Sequence, residues 1–294
     1  MIISLRCSLC FLLLGISFSA FSQANDGYFL KWKLKPGEVI AYKTNMEEID
    51  TAHHKDFSME GMMKSIGVDS DFTTFNKTMK QLNKEMENAG FITYLKAKRR
   101  GIVDIEMVMK QDSAQKKEQD ISQETRNLKE AQAMMMKMSR GVVLRGAMYD
   151  DGTIESFYTK GEQKNLISMF FELPGRKIKL GDSWALNMNF ISMDQNFICD
   201  SSYKKNNVKV IQIESRNNEH IITLKYDILE FVRGDFGSPF SNEPVKTMMK
   251  MTYNAVAEFS LEKGRWVSYN GVMSLTATGI MTSQTTKKFA LVEE

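Results

Sequence analysis

The sequence has 294 residues, and 39 lysines and arginines against 36 aspartates and glutamates leave a net charge of +3. A nearly equal number of positive and negative charges argues against nucleic acid or an anionic membrane surface as a partner. A chain of this length can bury about 70–75% of its unfolded surface, which is enough for one or two domains stabilised by apolar packing.

The N-terminus is typical of a secretory signal peptide. Arg6 is the only charged residue among the first 25, and an apolar run occupies about residues 9–16. This run is too short to span a bilayer as a helix. We predict a signal peptide over residues 1–22, with cleavage after Ala24 as the alternative, and an exported protein that is periplasmic or secreted.

The three cysteines indicate neither a lipid anchor nor a disulfide. Cys7 and Cys10 lie before or within the apolar run, whereas a lipidated cysteine would follow it. Removal of the signal peptide leaves Cys199, which cannot form an internal disulfide by itself. We therefore expect the mature chain to be stabilised by burial alone.

One stretch of the mature chain occurs twice. Residues 33–46 and 177–190 align without gaps, and each has a glycine followed by an acidic residue before an alternating run. Two hairpin-like stretches are also paired in the same order, 94–109 with 211–226 and 148–157 with 260–269. We predict an internal duplication, with a first β repeat over residues 23–160 and a second over residues 161–294.

Alternation of apolar and polar residues predicts long antiparallel strands with one wet face near the C-terminus. Over 249–259 and 265–282 the predicted apolar face consists of Met249, Met251, Tyr253, Ala255, Ala257, Phe259, Val267, Tyr269, Met273, Leu275 and Ala277. The basic cluster at 96–100 precedes Gly101, and we interpret it as the solvated end of a hairpin.

Apolar residues at steps of three and four predict two helices in the first repeat, over 72–86 and 121–138. The second repeat has no counterpart of either. A short third helix is predicted at about 162–171. The predicted fold class is therefore α+β: curved antiparallel sheets from a tandem repeat, half-barrel-like, with two inserted amphipathic helices.

Methionine is unusually frequent, with 22 in the chain. Its side chain fills irregular cores, lines adaptable apolar grooves, or binds Cu(I) outside the cytoplasm. We favour a core role and keep the groove and copper as alternatives, with no cofactor and no metal site assigned. The predicted ligand-binding residues are Phe75, Met79, Leu82, Met135 and Met138.

Known catalytic patterns fit the sequence poorly. Gly181-Asp182-Ser183 is similar to the nucleophile block of one esterase family, but that block lies near the mature N-terminus and pairs with an Asp-x-x-His that this chain lacks. His53 and His54 are adjacent, so a strand would direct them to opposite faces. We interpret them as part of a solvated loop rather than a metal site.

Short motifs give the chain a resemblance to a family of exported proteins of unknown function common in Bacteroidota. These motifs are Ala20-Phe21-Ser22-Gln23, Lys35-Pro36-Gly37-Glu38, Tyr149-Asp150-Asp151-Gly152-Thr153-Ile154, and Leu173-Pro174 with Leu180-Gly181-Asp182-Ser183-Trp184. The resemblance implies an exported, duplicated β protein and supplies no catalytic residues.

Together these observations favour a non-enzymatic exported protein that binds or carries an apolar, lipid-like ligand or a polypeptide. The unmatched pair of predicted helices rich in methionine and phenylalanine is the basis for this expectation. A structural or assembly factor of the cell envelope, with envelope proteins as partners, is the alternative, and an undetected hydrolase is the third. No transmembrane segment is expected in the mature chain.

The predicted export can be tested by mass spectrometry of the periplasmic or secreted fraction. We expect an N-terminus at Gln23, or otherwise at Asn25, without attached lipid. Detection of Met1 on the intact chain, or of an acylated Cys10, would show that the prediction is wrong.

Overall fold

The described part of the chain is built almost entirely from antiparallel strands. A computed structural model describes residues 27–50, 53, 55–58, 90–99, 101–110, 141–159, 164–192, 195–238 and 241–294. The strands of this part are Tyr28–Phe29 (β1), Val39–Glu48 (β2), Lys55–Ser58 (β3), Gly90–Arg99 (β4), Ile102–Lys110 (β5), Gly141–Tyr149 (β6), Ile154–Thr159 (β7), Lys177–Ile178 (β8), Ser183–Trp184 (β9), Phe197–Arg216 (β10), Glu219–Ser238 (β11), Ser241–Ser260 (β12), Arg265–Thr278 (β13) and Thr282–Glu293 (β14). One helix, α1, spans Lys164–Phe171.

One large sheet contains nearly all of these strands, in the order β7-β6-β5-β4-β2-β14-β13-β12-β11-β10-β9. β3 pairs with β14 beside β2, and β1 pairs with β8 in a separate two-stranded sheet. Every described pairing is antiparallel, which confirms the antiparallel strands expected from the alternation.

The strand order is consistent with the predicted duplication. Apart from β3, the strands β2 to β7 form one meander, the strands β9 to β13 form another, and β14 lies between β2 and β13. The turns that align in the two halves also share positive φ angles, +80° and +88° at Gly37 and Gly181, and +82° and +62° at Gly152 and Gly264. The duplication itself stays a prediction.

The predicted α+β class is wrong. Strands contain 71% of the described residues, and α1 is the one helix among them. The third predicted helix, at 162–171, corresponds to α1, while the predicted helices at 72–86 and 121–138 lie outside the described residues. Two apolar stripes at helical spacing favoured an α+β class, whereas β10, β11 and β12 each extend over 20 residues, far beyond the usual five or six.

One residue of the predicted apolar face is wrong, because a β-bulge changes which side chain of β13 is buried. Tyr253, Ala257, Phe259 and Tyr269 are buried as expected, but Val267 is 47% exposed. The register between β12 and β13 shifts between Glu258 and Phe259. Because a one-residue shift exchanges the two faces of a strand, Trp266 takes the buried position instead.

Helix α1 lies against one face of the large sheet, which we call the inner face. Seven of its eight positions, from Asn165 to Phe171, are buried or half-buried, as expected for a helix surrounded by protein. It ends just before Leu173-Pro174, because proline disfavours helical backbone in the residue before it.

The C-terminal carbonyls of α1 are satisfied by buried side chains rather than by water. The last four carbonyls of a helix have no partner within it. Three of them accept hydrogen bonds from aromatic residues: Met169 from Tyr269 Oη at 2.7 Å, Phe170 from Trp266 Nε1 at 2.7 Å, and Phe171 from Trp32 Nε1 at 3.0 Å. These bonds fix the helix end to β13 and to the segment that follows β1.

Buried tyrosines extend this network. Tyr253 donates to the Tyr269 hydroxyl at 2.8 Å, and Tyr269 in turn donates to Met169. Burial raises the pKa of both phenols well above the usual value. Both hydroxyls therefore stay protonated and remain hydrogen-bond donors.

Residues 30–34, which we call the strap, join distant parts of the sheet. The Trp32 amide donates to the Asp150 carbonyl at 2.7 Å and the Lys33 amide to the Gly264 carbonyl at 3.1 Å, so these two carbonyl oxygens lie within about 10 Å of each other. Asp150 follows β6 and Gly264 precedes β13, five strand positions apart, or about 24 Å in a flat sheet. The sheet is therefore curled at this end.

Two glycines permit this close approach. A Cβ on Gly152 would lie 2.4 Å from the Leu173 nitrogen, and one on Gly264 would lie 2.5 Å from the Lys33 Cβ. Both glycines also have positive φ angles, which cost other residues energy. Side chains at these turns would push α1 and the strap away from the sheet.

The hydrogen bond from Trp266 to the end of α1 lets us predict how Trp266→Phe changes the stability of the protein. Phenylalanine keeps an aromatic ring but removes the N–H that reaches Phe170, leaving a buried carbonyl without its donor. We expect a loss of about 1–3 kcal/mol in the free energy of unfolding, measured in urea.

Trp184→Phe is the matched control. The Trp184 Nε1 is buried without a hydrogen-bond partner, so this substitution removes a ring of the same size but no bond. We expect the control to lose less stability than Trp266→Phe. Equal losses in the two variants would show that ring volume, not the hydrogen bond, accounts for the effect.

Candidate functional site

The ligand-binding residues predicted from the sequence cannot be placed. Phe75, Met79, Leu82, Met135 and Met138 all lie outside the described residues. The candidate site is therefore built from the part of the chain that the structure describes.

An open cleft of about 980 Å³ lies where the strap meets the turns β4–β5, β6–β7 and β12–β13. Its apolar wall includes Trp32, Leu34 and Val103. Trp32 and Val103 are almost completely buried, so the side chains that remain available to a ligand are mainly the charged ones around the rim.

Positive charge predominates among the described residues of this cleft. Six cationic side chains line it against three anionic ones, namely Lys33, Lys35, Lys98, Arg99, Lys263 and Arg265 against Glu38, Asp150 and Glu262. Four further carboxylates, those of Asp104, Glu155, Glu219 and Glu293, pair with lining cations from just outside the cleft. The lining itself thus has an excess of three positive charges, which these neighbouring carboxylates partly balance.

Arg265 is fixed in this cleft by two carboxylates. Its Nη2 lies 2.7 Å from Glu38 Oε1 and its Nη1 lies 2.8 Å from Glu293 Oε1. The Lys35 amide donates to the other Glu38 oxygen at 2.8 Å. This amide and the Arg265 guanidinium hold the pKa of Glu38 below its usual value, so Glu38 stays ionised near neutral pH.

The other two carboxylates of the cleft also have structural partners. Asp150 Oδ1 accepts from Lys31 Nζ at 3.1 Å. Glu262 accepts from the His220 backbone amide at 2.7 Å, and its other oxygen lies 2.8 Å from His220 Nδ1. These contacts fix the turns that form the rim.

Several cations remain available to a ligand. Lys98 and Arg99 contact Asp104 and Glu155 in exposed ion pairs, which are typically worth only about 0–1 kcal/mol and are readily exchanged. Within the described ranges no carboxylate lies within 4 Å of the Lys33 or Lys35 ammonium group, although the Lys35 charge helps to lower the pKa of Glu38 and Lys33 Nζ reaches the Glu262 carbonyl at 3.4 Å.

A half-buried carboxylate lies elsewhere, just after the end of α1. Both oxygens of Glu172 are within 3.1 Å of the Asn187 amide. Burial raises the pKa of Glu172 above its usual value, although this amide acts in the opposite direction. Glu172 belongs to the packing of α1 against residues 186–191 and is not part of the cleft.

The esterase-like block is a turn and the start of β9. Gly181 has φ +88°, the Asp182 carboxylate accepts from the Lys179 amide at 3.0 Å, and Ser183 is exposed and paired with Lys209. His53 is exposed and contacts Asp50. Across the described ranges no group of three histidine, cysteine or acidic residues could hold a metal ion.

Comparisons with known proteins add no relatives. The chain matches no family model, no curated protein and no solved structure. The resemblance to an exported Bacteroidota family therefore stays a prediction. In the part of the chain that is described, no helix is long and apolar enough to cross a membrane.

Sequence reasoning identified parts of the cleft but not the cleft itself. The sequence indicates a turn at Lys35–Glu38 and a basic cluster at 96–100, which it predicts to be a solvated hairpin end. Residues 35–38 and Arg265 are more than 220 positions apart in the chain, and only the curled sheet brings them together. The one available signal was that basic residues flank several of the predicted turns.

The raised pKa of Glu172 predicts how stability depends on pH. Below the pKa that the Glu172 carboxyl has in the unfolded chain, both the folded and the unfolded state are protonated, and this carboxyl does not reduce stability. As the pH rises through the higher pKa of the folded state, the free energy of unfolding decreases. Glu172→Gln keeps one acceptor for Asn187 and never ionises. We therefore expect its stability relative to the parent to increase between pH 4 and pH 7, measured by urea unfolding.

Glu47→Gln serves as the control, because Glu47 is exposed on β2. We expect it to follow the parent protein over the same pH range. A pH-independent difference between Glu172→Gln and the parent would contradict the assignment.

Proposed function

We propose that this protein is a non-enzymatic, exported binding protein whose cleft takes an acidic stretch of polypeptide. The observation that carries the proposal is that six cationic side chains against three anionic ones line one open cleft of about 980 Å³, with Lys33 and Lys35 outside any ion pair among the described residues. Export rests on the predicted signal peptide.

The size and shape of the cleft favour an extended ligand over a small ion. Small-molecule sites typically measure about 300–1,000 Å³ and enclose most of the ligand. This cleft is open, and its volume is at the upper end of that range. Its cations lie on the strap, on the turn at 35–38, and at the β4–β5 and β12–β13 turns. Carboxylates spaced along a peptide could contact several of them at once.

The state of the acidic residues favours binding over catalysis. Glu38, Asp150 and Glu262 each have partners that hold the local backbone in place. A general acid for chemistry near pH 7 needs a raised pKa, whereas the pKa of Glu38 is lowered.

An apolar ligand is the second candidate, favoured by one feature of the inner face. Beyond the residues that contact α1, this face carries a half-buried apolar group of Met46, Met249, Met251, Met273 and Leu275. Methionine-rich surfaces adapt to ligands of variable shape. A lipid-like molecule would bind there rather than in the cationic cleft.

The proposal is tested with a fluorescein-labelled peptide of about eight glutamates, titrated with the protein and followed by anisotropy. We expect saturable binding that weakens as salt rises, because exposed charges are screened. Lys33→Glu with Lys35→Glu should weaken binding at least tenfold, or about 1.4 kcal/mol.

Lys225→Glu with Lys250→Glu is the matched control. It changes the net charge equally, and both lysines are exposed on strands away from the cleft. Equal weakening by the two double variants would show attraction by net charge alone and contradict a specific cleft. If the glutamate peptide does not bind while a fluorescent fatty acid does, and Met249→Ala with Met251→Ala abolishes that binding, the second candidate is supported instead.

A further inference from the structure

The strap and the residue that follows it alternate between apolar and basic side chains. The apolar positions 30, 32 and 34 are buried or half-buried, and the basic residues that alternate with them are Lys31, Lys33 and Lys35. The successive amides of Trp32 and Lys33 donate to carbonyls of two different turns, as in extended backbone, where neighbouring amides point to opposite sides. The three lysines therefore lie on one side of the strap, in a row whose last two members line the cleft.

The first lysine of this row differs from the other two in its contacts with the described residues. Lys31 Nζ lies 3.1 and 3.3 Å from the two carboxylate oxygens of Asp150. Lys33 and Lys35 are in no such ion pair within the described ranges. The contact of Lys33 Nζ with the Glu262 carbonyl is 3.4 Å long, against about 2.9–3.0 Å for a typical N–H···O bond. Lys33 and Lys35 are thus the members of the row that a ligand can engage.

The backbone of both lysines is fixed. The Lys33 amide donates to the Gly264 carbonyl at 3.1 Å. Lys35 begins a turn in which its amide donates to the Glu38 carboxylate at 2.8 Å and its carbonyl accepts from the Glu38 amide at 2.9 Å. Pro36 disfavours helical backbone at the residue before it, so Lys35 continues the extended strap. The two lysines are therefore spaced as alternate residues of a strand, with Cα atoms about 6.6–6.8 Å apart.

An extended peptide can reproduce this spacing in only one way. Side chains two positions apart point to the same side of an extended chain, whereas adjacent side chains point to opposite sides. Two carboxylates at alternate positions can therefore each accept a charge-assisted hydrogen bond from one lysine at the same time. Once the first contact is made, the second is intramolecular, which strengthens binding without any further contact.

We infer that the cleft recognises acidic residues at alternate positions of an extended peptide, one carboxylate at Lys33 and the next but one at Lys35. This inference rests on the function proposed above and specifies its ligand. Lys98 and Arg99, on another side of the cleft, attract any acidic peptide and add affinity without distinguishing the spacing of its charges. The two strap lysines supply that distinction, because their backbone is fixed while their ammonium groups are exposed.

Two fluorescein-labelled peptides of identical length, charge and composition test the inference. In the alternating peptide, four glutamates alternate with four serines. In the paired peptide, two glutamates and two serines form a unit that occurs twice, so no two glutamates lie two positions apart. By anisotropy at low salt, we expect a dissociation constant about fivefold lower for the alternating peptide, because only this peptide can contact both lysines from one side.

A single-lysine variant shows whether the strap lysines cause the preference. Lys33→Ser leaves one lysine in the row, so it should bind the two peptides equally. Lys225→Ser removes the same charge from an exposed position on β11 and should keep the preference of the parent. A preference that survives in Lys33→Ser, or that is lost equally in Lys225→Ser, would contradict the assignment to the strap.

The parent protein separates failure of the inference from failure of the proposed function. If the parent binds both peptides equally, or the paired peptide more tightly, while the glutamate peptide described above still binds, the spacing rule is wrong and the proposed function stands. If none of the three peptides binds, both are wrong.

Discussion

The architecture depends on the buried C-terminal end of α1. A helix that ends inside a protein leaves carbonyl oxygens that must find donors other than water. Here the donors are two indoles and a phenol, from Trp32, Trp266 and Tyr269. Trp32 and Trp266 are more than 230 residues apart in sequence, so this requirement joins the strap and β13 around one short helix.

The curl of the sheet follows from the same contacts. The strap carries Trp32 to the helix end, and its adjacent amides bond to the turns at Asp150 and Gly264. Those turns meet only if the sheet bends, and the two glycines at 152 and 264 leave room for Leu173 and Lys33. Substitutions that push α1 outward should therefore disturb the strap and the rim of the cleft together.

The cleft and the β10 edge are two consequences of this arrangement. The curled end of the sheet gathers turns from both halves of the chain, and their basic residues form a cationic rim without any one segment being strongly basic. Among the described strands the sheet does not close, and β9 covers the edge of β10 only at Val208 and Lys209.

Local sequence determined the strands and their turns, because alternation with period two and the chemistry of turn residues act over a few positions. It correctly indicated the antiparallel strands, the short helix at 164–171, and buried positions such as Tyr253 and Phe259. Only the tertiary structure decided the fold class, the exchange of Trp266 for Val267 on the inner face, and the cleft that contains Glu38 and Arg265. The fold class and the cleft depend on contacts between residues far apart in the chain, whereas the exchange at Trp266 depends on a bulge in one hairpin. Neither a β-bulge nor a cross-sheet ion pair leaves a periodic signal in the sequence.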